Sequence, residues 1–118
     1  MKKIYHLSTC DTCKRILKEL QPSKDYELQD VKSSPLTPMQ LEELFALSGS
    51  YEALFNKRAR LYKERNLKDH NLNEDDYKTL LLEHYTFLKR PVIRINNSIF
   101  IGNSKHTIKE AKALMLNE

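Results

Sequence analysis

Both cysteines of the chain stand in one short stretch, Ser8-Thr9-Cys10-Asp11-Thr12-Cys13-Lys14. Two thiols at that spacing can supply half of a metal site, or they can exchange electrons by closing and opening a disulfide. They can also be two reduced thiols without chemistry. The metal reading needs further ligands. The sequence offers no second Cys-x-x-Cys and no closely spaced histidine pair, since His6, His70, His84 and His106 are scattered. His84 reads as a core histidine on a helix face, so no metal is expected. The electron-exchange reading needs only a thiolate at one position and a second sulfur within reach.

The elements around the pair assign the two sulfurs different work. Residues 2–7 read as a strand, with Ile4 alternating against polar neighbours. A helix follows over 11–21, because Cys13, Ile16, Leu17 and Leu20 fall on one face; Pro22 stops it. Cys10 therefore sits where that helix begins. Free backbone N–H groups there favour an anion, so the thiolate, which is the attacking species, is favoured over the thiol. Cys13 lies one turn on, on the apolar face, and is expected to be less exposed. Cys10 reads as the attacking sulfur and Cys13 as the resolving one.

A second strand is expected over 26–31. Thr37-Pro38-Met39-Gln40 opens a helix with a capping threonine and a proline where no donor is needed. Leu41, Leu44 and Phe45 form its stripe, and Gly49 ends it. Residues 50–55 form a short helical turn ahead of a basic segment. Asn73-Glu74-Asp75-Asp76 opens another helix with a cap and acids at the positive end of its dipole, and Tyr77, Leu80, Leu81 and His84 share its buried face. At Arg90-Pro91 the pattern changes. Strands over 92–95 and 99–101 meet across Asn96-Asn97, and a last helix after Gly102 turns Ile108, Ala111, Leu114 and Met115 inward.

The order predicts an α/β protein with a thioredoxin-like fold: a four-stranded mixed sheet carrying the first and last helices. A helical insertion over about 36–86 separates the βαβ and ββα halves. A chain of 118 residues with 40% hydrophobic residues suits a single domain, here 1–118. The apolar stretches are too short to span a bilayer, and the N-terminus lacks the features of a secretory signal. A cytoplasmic protein is expected, where a disulfide is more often transient than structural.

The formal charge is +4, too mild to call for a nucleic acid, and no basic recognition helix appears, so neither direct nucleic-acid binding nor a membrane partner is expected. Lys57, Arg58, Arg60, Lys63, Arg65 and Lys68 crowd one segment, and Lys89, Arg90 and Arg94 lie around Pro91. Taken alone, such runs are solvated faces. Beside a thiolate they gain meaning, because the planar fork of arginine suits an oxyanion under attack. In a thioredoxin-like fold the proline opening the third strand is usually cis and lies against the Cys-x-x-Cys. Pro91 holds that place and brings Arg90 with it.

With these motifs the chain resembles the arsenate reductase-like (ArsC-type) family of thioredoxin-fold proteins, which includes arsenate reductases, Spx-type transcription regulators and YffB-like proteins. Four stretches carry the resemblance along nearly the whole chain: Cys10-Asp11-Thr12-Cys13-Lys14, Asn56-Lys57-Arg58-Ala59-Arg60-Leu61-Tyr62, Leu88-Lys89-Arg90-Pro91-Val92 and Phe100-Ile101-Gly102-Asn103-Ser104. The resemblance implies a nucleophile at Cys10, anion-holding arginines at Arg58 and Arg90, and a cis-proline at Pro91. The expected catalytic residues are Cys10, Cys13 and Arg90, with Thr9, Thr12, Arg58, Arg60 and Pro91 around the substrate. Asp11-Thr12-Cys13 replaces the Gly-Thr-Ser of arsenate reductases, and Asn103 replaces their third arginine, which weighs against arsenate itself.

The resemblance thus implies a thiol-dependent oxidoreductase acting on an anionic substrate, an oxyanion or glutathione. No cofactor would be tightly bound; glutathione would be a co-substrate and glutaredoxin or thioredoxin a partner. The alternative is a redox-sensing regulator of the Spx type, which binds the C-terminal domain of the RNA polymerase alpha subunit.

Overall fold

The computed structural model describes residues 1–117. The chain folds as two units, one made of Met1–Ser34 with the chain from Arg90 onward, the other of Pro35–Lys89. Among the described residues no helix is long and apolar enough to cross a membrane.

The first unit is a four-stranded sheet in the order β2-β1-β3-β4, with β1 at Lys2–His6, β2 at Glu27–Asp30, β3 at Val92–Ile95 and β4 at Ser98–Ile101. β1 pairs in parallel with β2, Ile4 facing Leu28, and antiparallel with β3, Ile4 facing Ile93. The sheet is therefore mixed, as the element order predicts. Asn96 takes a left-handed φ of 55° in the β3–β4 turn, a conformation asparagine tolerates better than most residues.

Helices α1 (Asp11–Leu20) and α6 (Lys105–Leu116) supply the apolar side of this unit. Ile4, Ile93 and Ile95 of the sheet pack in one cluster with Ile16 and Leu20 of α1, Ile108 and Ala111 of α6, and Tyr26. Removing one such buried aliphatic side chain costs about 2–5 kcal/mol, so this cluster dominates the unit's stability. Leu114 corrects an expectation: it is exposed, whereas Met115 packs against the cluster. At about 100° per residue, Leu114 lies roughly 120° around the helix from Ile108, outside the covered face.

The second unit is helical, with α2 at Pro38–Ser48, α3 at Tyr51–Leu54, α4 at Arg60–Glu64 and α5 at Glu74–Glu83. Both long helices start as their sequences dictate. Gln40 N donates to Thr37 Oγ1 and Thr37 N to Gln40 Oε1, each at 3.1 Å; Asn73 and Asp76 exchange the same pair of bonds at 2.9 Å. Gly49 closes α2 with φ 77°, which a side chain would strain. Phe55 stacks on Phe87 at 5.1 Å and tilts against Tyr77 at 4.9 Å, giving an aromatic centre.

His84 departs from the helical face assigned to it, for α5 ends at Glu83 and His84 has extended backbone, φ −151° and ψ 137°. Its ring is half-buried, stacks on Tyr85, and its Nδ1 accepts from Thr86 N at 3.1 Å, so it caps the short 3-10 turn Tyr85–Phe87. Leu80 is likewise only half-buried, while Tyr77 and Leu81 are buried. Beyond this turn Lys89 N donates to Leu54 O at 2.8 Å and Asn56 N to Phe87 O at 2.7 Å. These bonds hold the chain that runs up to Arg90.

Candidate functional site

The sheet register brings the two ends of the site together. β1 and β3 run antiparallel with Tyr5 opposite Val92. The exit of β1, which leads to Cys10, therefore lies beside the entry of β3, which begins after Arg90-Pro91. The Arg90–Pro91 peptide is cis, and Pro91 is buried, its carbonyl accepting from Gly102 N at 2.9 Å. Cys10 N donates back to Leu7 O at 3.0 Å, so Leu7–Cys10 is a tight turn that ends at the N-cap of α1.

Cys10 is half-buried and Cys13 buried; both are free. As a neutral cap Cys10 does little, since its side chain makes no conventional capping hydrogen bond and a thiol is a weak acceptor. What the site favours is its anion. Burial pushes the Cys10 thiol up, but the Cys13 N–H, the Cys13 thiol, the Arg90 guanidinium and the Thr12 N–H outweigh it and hold the group below the ordinary cysteine value. Cys13 behaves oppositely. Burial first, then the neighbouring charge of Cys10, raise it to about 11 against the Leu7 N–H and the charge of Arg90. The site thus favours the anion at Cys10, while its neighbour keeps its proton and donates it.

The first unit thus brings Cys10, Thr12, Cys13, Arg90 and Pro91 together. Thr9 is exposed in the turn, and Thr12 contributes its backbone N–H. Lys14 and Arg15 point to solvent. Arg58 and Arg60 belong to the second unit and are exposed. Arg60 Nε pairs with Glu64 Oε1 at 3.3 Å, one turn along α4. Two residues to which the sequence assigned no role stand at the turn that ends at Cys10, Ser8 and Asp30, joined by a hydrogen bond of 2.6 Å. Only the β1–β2 register could have revealed them.

A mixed sheet in this order, two helices on its apolar side, a thiol pair opening the first helix and a cis-proline opening the third strand define a thioredoxin-like protein with a thiol site. More narrowly, the chain belongs to the ArsC family, whose model matches residues 5–111. It is 23% identical over 110 residues to the global transcriptional regulator Spx 2 of Bacillus cereus, covering 91% of this chain and 83% of that one. It is 26% identical over 111 residues to the Escherichia coli protein YfgD, covering 92% and 93%. Among solved structures, the arsenate reductase from Vibrio cholerae superposes with a TM-score of 0.72 at 25% identity, over 92% of this chain and 95% of that one.

Proposed function

We propose that the protein is a thiol-dependent oxidoreductase of the cytoplasm in which Cys10 attacks and Cys13 resolves. The observation that carries this reading is the opposite tuning of two adjacent thiols, one held below the ordinary cysteine value with Arg90 on it, the other raised to about 11. Merely structural cysteines have no need of such a division.

The substrate is anionic, an oxyanion or a mixed disulfide of glutathione, and Arg90 holds its charge. The Cys10 thiolate forms a bond to the electrophilic atom, and the displaced group leaves with a proton. Cys13 then gives up its proton and attacks the Cys10 sulfur, closing a disulfide, while the bond to the substrate breaks and its electron pair stays with the substrate. The substrate is reduced by two electrons and the thiol pair oxidised by two. Glutathione, directly or through glutaredoxin or thioredoxin, restores the dithiol. No tightly bound cofactor is required, because the thiols carry the electrons.

A second reading rests on the similarity to Spx 2: the pair would be a switch, and the surface would bind the alpha subunit of RNA polymerase. A coupled glutathione assay separates the two. Turnover that disappears in Cys10→Ser supports the oxidoreductase. Wild-type protein that turns over no oxyanion or disulfide with any of these thiol donors, yet binds the alpha C-terminal domain in an oxidation-dependent way, overturns it in favour of the switch.

A further inference from the structure

Asp30 is the last residue of β2, and the parallel register sets it opposite His6, the last residue of β1. Val31 N carries this pairing one residue further by donating to His6 O at 2.9 Å. The Asp30 carboxylate therefore lies beside the point where β1 gives way to the turn that delivers Cys10. It grips that turn at Ser8. Oδ2 accepts from Ser8 Oγ at 2.6 Å, and Oδ1 accepts from Ser8 N at 3.2 Å. The shorter distance lies within the range of about 2.5–2.7 Å typical of a hydroxyl donating to an ionised carboxylate. The same carboxylate accepts from Lys32 N at 3.2 Å and Ser33 Oγ at 3.3 Å, so its own position is braced from the other side.

Ser8 is the first inner residue of the Leu7–Cys10 turn, whose closing hydrogen bond comes from the nucleophile's own N–H. Holding Ser8 by both its backbone and its hydroxyl leaves that turn little freedom. The Cys10 sulfur must meet three groups at once, the N–H of Thr12, the N–H of Cys13 and the guanidinium of Arg90. Hydrogen bonds weaken steeply with misalignment, so a turn that drifted would lose them together.

We propose that Asp30 is a positioning residue for Cys10: by clamping Ser8 it fixes the turn that aims the Cys10 sulfur at the donors of α1 and at Arg90. The inference rests on the reading of Cys10 as the nucleophile and adds the residue that keeps it aimed. The Ser8 hydroxyl, with the other donors, holds the Asp30 carboxyl down at about 2, so the clamp stays ionised wherever the thiols titrate.

The charge of Asp30 and its geometry act on Cys10 with opposite signs. Removing a nearby negative charge favours the thiolate, whereas loosening the turn takes donors away from it. The sign of the change therefore distinguishes a positioning role from simple proximity, and a purely structural role would leave the thiol's titration where it was. The experiment is the pH profile of iodoacetamide alkylation at Cys10, read by mass spectrometry of the reduced protein. The samples are wild type, Ser8→Ala, Asp30→Ala, Asp30→Asn and the Ser8→Ala/Asp30→Ala double variant.

Positioning predicts that Ser8→Ala and Asp30→Ala both move the Cys10 profile to higher pH and slow alkylation at pH 7 by about three- to tenfold. The double variant should match Asp30→Ala alone, since both changes break one clamp. Asp30→Asn, which keeps an acceptor for Ser8 N, should fall between Asp30→Ala and wild type. Ser8→Ala alters only an exposed hydroxyl and carries the test if Asp30→Ala proves unstable. A wild type with its profile below that of an ordinary thiol, and variants that leave it unmoved or shift it to lower pH, overturns the role of Asp30. A wild-type Cys10 that titrates as an ordinary thiol overturns the nucleophile reading itself, and the inference with it.

Discussion

Two basic regions of this protein look alike in the sequence and differ in the structure. In the segment from Lys57 to Lys68, cations meet acids of their own unit. Lys57 pairs with Glu52, Arg60 with Glu64 and Arg65 with Glu83. At Arg90 the cation instead meets a sulfur, and the Cys10 anion is the more stable for it. Both are local crowds of lysine and arginine, yet one is largely a solvated, internally matched surface and the other supplies a charge to a thiol. What separates them is where the backbone leads. Arg90 stands at the mouth of a strand that pairs with the strand leading to Cys10.

That comparison breaks most easily at Arg90. Lysine there keeps the charge but loses the planar fork, and losing one charge-assisted contact in a dry site costs on the order of 2–4 kcal/mol of transition-state stabilisation. In the coupled glutathione assay, Arg90→Lys should lose on the order of a hundredfold in turnover with its circular dichroism and melting unchanged. Retained turnover in that variant would place the anion site elsewhere.

The two thiols sharpen it next. With Cys13 raised to about 11 and Cys10 held low, Cys10 should alkylate on the order of a hundredfold faster than Cys13 at pH 7, because only the thiolate reacts. Rates measured on the reduced Cys10→Ser and Cys13→Ser variants check this. Equal rates near those of a free thiol would remove the distinction between the attacking and the resolving sulfur.

The raised thiol also marks the pH dependence of stability. Between the ordinary cysteine value of 9.0 and about 11, an unfolded chain would ionise Cys13 while the folded protein keeps it protonated. The folded state then binds more protons, so the Cys13 contribution to stability is present below pH 9 and is lost as pH rises toward 11. Cys10, whose value is lowered, contributes with the opposite sign, gaining stability as pH rises through the ordinary cysteine value and levelling off above it. Urea unfolding of the reduced protein should show a steeper fall over that range in wild type than in Cys13→Ala. Identical slopes would mean the thiol is not desolvated.

The smallest effect belongs to the other region. Arg60 and Glu64 form an exposed pair one helical turn apart, a type worth about 0.3–0.5 kcal/mol. Arg60→Ala should leave turnover within about twofold and stability within about 0.5 kcal/mol. A loss in turnover as large as that of Arg90→Lys would show that the basic segment serves the site after all.

Much of this protein was legible from local rules. The capping boxes at Thr37 and Asn73, the Gly49 stop, the Asn96 turn and the amphipathic stripe of α1 are encoded within a few residues, and each formed as its pattern dictates. The Cys-x-x-Cys at a helix start is equally local, so the deeper burial of Cys13 could be read before any contact was known. Local rules reached less far where a helix frays or turns away. They put His84 one residue too far into α5 and turned Leu114 toward a core that covers a narrower face.

The rest belonged to register, which no local pattern carries. Parallel pairing of β1 with β2 sets Asp30 against Ser8, 22 residues away in the chain, and antiparallel pairing of β1 with β3 brings Arg90 to Cys10 across the whole of the helical unit. Alternation along a strand tells which residues share a face, but not which neighbour stands across from them. By itself the sequence determined that Cys10 would stand at a helix end; the pairing of three strands decided which arginine meets it and which carboxylate bonds to its turn.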